Sequence, residues 1–95
     1  MTPEFSAQKN LIDFLQADLE LCFTMLNTAQ ITHDPEHRRS ALDKVLAGIR
    51  VIRGLVVRIQ DPQASQAVSG RADELERALQ LFSDRIASRD ESTKT

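Results

Sequence analysis

The sequence predicts an all-α protein, a three-helix antiparallel up-down-up bundle. Three observations predict it. Glycine and proline are scarce, three of each in 95 residues. The remaining composition is rich in alanine, leucine, arginine, glutamine and glutamate, which are good helix formers. Apolar residues recur at three- and four-residue spacing along nearly the whole chain.

Each proline stands next to a capping residue. Thr2-Pro3, Asp34-Pro35 and Asp61-Pro62 repeat one design. The threonine or aspartate side chain accepts a hydrogen bond from an orphan N–H of the first turn. Proline at the next position lacks an N–H that would be unpaired there anyway, and its fixed φ suits a helix. These signals predict helices over about 3–30, 35–60 and 62–88 in a single domain spanning 1–88. The links are short, so sequential helices are expected to lie antiparallel.

The first helix carries Ile12, Leu15, Leu19, Cys22, Leu26 and Ala29 on one stripe. Leu11, Phe14, Leu21 and Met25 form a second stripe beside it, and Phe23 sits at one edge. The second helix has Leu42, Val45, Leu46, Ile49, Ile52, Val56 and Ile59 on its main stripe, which Ala41, Gly48, Val51 and Leu55 widen. The third is narrower, with Val68, Leu75, Leu79, Phe82 and Ile86 inward and Leu81 apart. Ser69-Gly70 is the point where it would kink or break, since glycine costs about 1 kcal/mol relative to alanine inside a helix. The polar segment 89–95 has no apolar anchor and is expected to be a disordered tail.

The apolar arcs on the first two helices are wider than the stripe of roughly 100° that suffices for a surface helix. Such an excess is what a second chain would cover. Phe23, Val51 and Leu55 are therefore the expected interface residues. The expected partner is a second copy, giving a homo-oligomer with a dimer first, or another helical protein. Charge divides by helix. Residues 3–31 carry Glu4, Lys9, Asp13, Asp18 and Glu20, while 35–60 carry six basic and two acidic residues. An acidic helix beside a basic one favours the intended pairing over wrong ones.

Asp18 falls within an apolar arc, and a buried carboxylate must be paired or neutralised. Arg71 stands about one turn from its level on the third helix, so an Asp18–Arg71 buried ion pair is expected. A polar interior pocket around those two residues, binding a small ligand or supporting catalysis, is the alternative function.

Other chemistry finds little footing. His33 and His37 are four apart, but His33 precedes the helix cap, so no metal site is expected. Cys22 lies on a packed stripe and reads as a small apolar residue. No phosphate-binding glycine loop and no nucleophile motif is present, and neither enzymatic activity nor a cofactor is expected. The net charge of −2 and the lack of tryptophan and tyrosine argue against nucleic acid. No apolar run approaches the roughly 20 residues that span a bilayer. With one cysteine and no leader-like start, the chain is expected to be cytoplasmic.

Overall fold

The computed structural model describes the backbone of residues 3–93 and the side-chain surroundings of residues 7–86. It contains α1 (Pro3–Ile31), α2 (Pro35–Val56) and α3 (Pro62–Thr93). No strand occurs among the described residues.

The two internal starts form as their sequences dictate. Asp34 is the N-cap of α2, and its Oδ1 accepts from the N–H of Glu36 at 3.0 Å. Asp61 does the same for α3, accepting from the N–H of Gln63 at 3.2 Å. Each cap satisfies a donor that the helix itself leaves unpaired.

Two helix ends differ from expectation. Helix α2 ends at Val56, not Gln60. Past Val56 the bonds tighten to the i−3 type, Arg58 N–H to Leu55 and Ile59 N–H to Val56. The N–H of Gln60 then goes to the side chain of Gln8 at 3.0 Å, which removes it from any helical ladder. Helix α3 runs as one element through Ser69 and Gly70, and a Cβ at Gly70 would meet no atom within 4 Å. It also continues to Thr93 where a tail was expected from residue 89. No glycine or proline follows Gly70 to stop it. The last two residues of the expected tail, 94–95, lie outside the described residues.

One core joins the three helices. Leu15, Leu19, Cys22, Leu26 and Ala29 of α1 meet Val45, Ile49 and Ile52 of α2 and Val68, Ala72, Leu75 and Phe82 of α3. No polar or charged side chain is buried among the described residues. The molecule is a rod 63 Å long and 20 by 17 Å across.

Contacts along the α1–α2 pair fix its register. Gln8 donates to the carbonyl of Arg58 at 3.0 Å, Cys22 and Asp18 lie opposite Gly48, and Arg38 donates to the carbonyl of Ala29. The start of α1 thus meets the end of α2, and the two helices run in opposite directions. Helix α3 is tied to α2 by Arg53, whose guanidinium reaches both Asp73 and Glu76.

Candidate interaction surface

A helix turns 100° per residue, so each partner contact also fixes where the other side chains point. On α1, Asp18 and Cys22 face α2 at Gly48. Phe23 lies on the α3 side, under the guanidinium of Arg71 at 4.4 Å from its ring centroid. Phe14 and Leu21 lie beyond Asp18, on the side of the α1–α2 pair away from α3. Both are 52% exposed.

On α2, Gly48 faces α1 and Arg53 faces α3. Val51 lies beyond Gly48, again on the side away from α3, and is 44% exposed. Leu11, Met25 and Leu55 are partly buried against the core along the same seam. The result is an apolar face across two antiparallel helices. The core beneath it is closed without Phe14, Leu21 or Val51.

The sequence reading placed Phe23, Val51 and Leu55 at the interface. Val51 lies on the open face and Leu55 at its margin. Phe23 belongs to the opposite flank of α1, covered by Arg71. Phe14 and Leu21, both of the second stripe of α1, are the most exposed large groups of this face. Their seven-residue spacing at the outer edge of the α1 arc was the signal that separates them from the core stripe.

The expected Asp18–Arg71 ion pair does not form. Arg71 bonds Glu74 of its own helix at 2.9 Å and stacks on Phe23. Asp18 is half-buried beside Gly48. Asp18 and Phe23 are five residues apart, roughly 140° around α1. The carboxylate and the guanidinium therefore occupy opposite flanks of that helix, and they enclose no common pocket. The cleft at Arg71, about 200 Å³, is lined by Gln16, Leu19, Glu20, Ala67 and Val68, without Asp18.

A second groove of about 600 Å³ lies between α2 and α3, with Leu42, Leu46, Leu79 and Ile86 among its walls and Arg39 at its rim. His33 and His37 are exposed. No group of three His, Cys, Asp or Glu side chains converges among the described residues. Burial, and secondarily the negative charge of Asp18, pushes the Cys22 thiol above its ordinary pKa, which keeps it protonated and a poor nucleophile. Among the described residues, no helix is long and apolar enough to cross a membrane. Compared with protein-family models, with curated proteins and with solved structures, the chain gives no match.

Proposed function

We propose that this chain is a protein–protein interaction or scaffold module that docks another helical chain on the α1–α2 face. One observation carries the reading. Phe14, Leu21 and Val51 are exposed together on one side of a pair of helices whose core is already complete. Isolated exposed apolar residues need no explanation, but a contiguous group does. Its flat, two-helix form suits a partner that presents an amphipathic helix or helix pair. A free, buried Cys22 fits a cytoplasmic setting.

A photo-activated cross-linking residue separates this face from the rest of the surface. Placed at position 21 or 51, it should join the chain covalently to a protein partner in the native host. Placed at position 81, which is equally accessible but lies on α3, it should not. Equal capture from all three positions, or none from 21 and 51, overturns the proposal.

A further inference from the structure

Resting on that docking face, we infer that its occupant is a second copy of this chain. The two copies are related by a twofold axis parallel to the helices, so α1 of each lies against α2 of the other. The register of α1 and α2 makes this specific. Within one chain Phe14 is level with Gly54, Ala17 with Val51, and Leu21 with Ala47, as the Gln8–Gln60 and Cys22–Gly48 contacts require. A twofold axis along the rod preserves each level and exchanges the helices. Phe14 then faces Gly54 of the second copy, Leu21 faces its Ala47, and Val51 faces its Ala17.

Each of the three exposed large side chains of the face meets a small one. Gly54 is open space, since a Cβ there would meet no atom within 4 Å, and an aromatic ring needs such a hollow. Alternation of large and small residues across a seam is how facing helices interdigitate. Beyond this apolar centre, Lys44 and Arg58 of α2 lie level with Thr24 and Asn10 of α1, so no like charges meet.

The other closed arrangement has its axis across the rod and stacks α2 on α2. With that axis at the level of Val51, where the apolar centres coincide, it brings Lys44 of one copy to Arg58 of the other, twice. Repulsion therefore selects the first arrangement, in which the acidic helix of each copy faces the basic helix of its partner.

Sedimentation of the full chain tests this, with Gly54→Leu as the deciding variant. The added side chain enters open space in the single chain, so helicity should be kept. In the dimer it fills the hollow that Phe14 of the second copy occupies. The wild type should sediment at twice the chain mass, and Gly54→Leu should weaken the dimer about tenfold or more. Adding Phe14→Ala to Gly54→Leu moves the bulk to the other helix and should restore part of the affinity. A dimer indifferent to Gly54→Leu overturns the inference, and so does a monomer at the highest soluble concentration. In the monomer case, binding of the apolar dye anilinonaphthalene sulfonate distinguishes two failures. Dye binding abolished by Leu21→Glu leaves the docking face standing with another occupant, whereas absence of dye binding removes the face as well.

Discussion

Gly48 and Cys22 mark the closest approach of α1 to α2: a Cβ on Gly48 would fall inside the contact radius of the Cys22 sulfur. Gly48 sits in mid-helix, where glycine costs helical stability, and its φ is not positive. Its benefit here is the contact distance. Leu19 and Leu26, one turn to either side of Cys22, reach the shared core across that narrow gap.

Gly48→Ala should therefore destabilise the protein despite alanine's better helix propensity. Overpacking costs about 1–3 kcal/mol, against about 1 kcal/mol gained from propensity. The net loss should be roughly 1 kcal/mol. Combining it with Cys22→Ala removes the colliding sulfur. The double variant should then be more stable than the sum of the single effects by about 1 kcal/mol in a double-mutant cycle. Urea unfolding at one fixed protein concentration measures this, and simple additivity would refute the steric account.

Cys22 also sets a pH dependence. Burial, with Asp18 adding to it, raises the folded-state pKa above the ordinary value of 9.0. The unfolded chain therefore releases this proton at lower pH than the folded one. The stabilisation is fully present below the unfolded thiol pKa, and it is lost as pH rises from there through the folded value. Unfolding free energy should not respond to Cys22 between pH 6 and 8, and should fall with pH above about 9. In Cys22→Ala that alkaline component should vanish. Thiol labelling by a disulfide reagent at neutral pH should be slow in native protein and fast in urea. Rapid labelling of the native protein would contradict the buried placement.

Asp18→Ala tests the corrected view of that carboxylate. Paired with Arg71 in the interior, Asp18 would strand a positive charge on removal and cost a few kcal/mol. With Arg71 bound to Glu74 and Phe23, and Asp18 half-buried at the α1–α2 margin, the change should stay within about 0.5 kcal/mol. Arg71→Ala loses the stacking on Phe23 and should cost about 0.5–1 kcal/mol. A thermal melt of each variant is sufficient, and a large effect at Asp18 would restore the interior pair.

Helix starts were legible because capping is local. Asp34 and Asp61 act on N–H groups two residues away, so the sequence window contains the whole cause. The end of α2 was not legible, because the group that takes the N–H of Gln60 is Gln8, 52 residues earlier. The core stripes were legible from periodicity, whereas the flanks were not. An angle on a helical wheel does not say which neighbour lies in that direction. Asp18 lies within the α1 arc and Phe23 at one edge of it, yet Asp18 is turned toward α2 and Phe23 toward α3. That ambiguity produced the pairing of Asp18 with Arg71 and the placing of Phe23 on the open face. It also hid Phe14 and Leu21, whose position becomes clear only once α3 is known to pack on the other side.

Arg53 joins α2 to α3 through two carboxylates. Its side chain is about one-third exposed, and Asp73 and Glu76 are more open. Solvent screening limits the two contacts together to about 1 kcal/mol. The hydrogen bonds that Glu76, then Asp73, accept from Arg53 raise an arginine pKa that already lies above any working pH, so no pH effect follows from Arg53 itself. Arg53→Met should lose most of that 1 kcal/mol in dilute buffer, and the difference from wild type should shrink in high salt. Arg53→Lys should fall between, because a single ammonium lacks the fork that reaches both acids. A salt-independent loss would mean that packing of the arginine stem, and not its charge, is what matters.

Arg38 supplies the last test, at the turn between α1 and α2. Its Nε donates to the carbonyl of Ala29 at 3.3 Å and its Nη2 to that of Thr32 at 2.9 Å. Carbonyls at a helix C-terminus have no partner within the helix, and a cation near them also meets the negative end of the helix dipole. The first turn of α2 thereby finishes the last turn of α1, which has no basic residue of its own there. Arg38→Ala should cost about 1–2 kcal/mol, since hydrogen bonds to charged groups are the stronger ones. Arg38→Lys should recover part of this through charge alone. Amide hydrogen exchange localises the effect. Protection should fall first at residues 28–32, while the N–H of Glu36, held by Asp34, keeps its protection. Uniform loss along all three helices would instead make Arg38 a general contributor to folding, with no special hold on this turn.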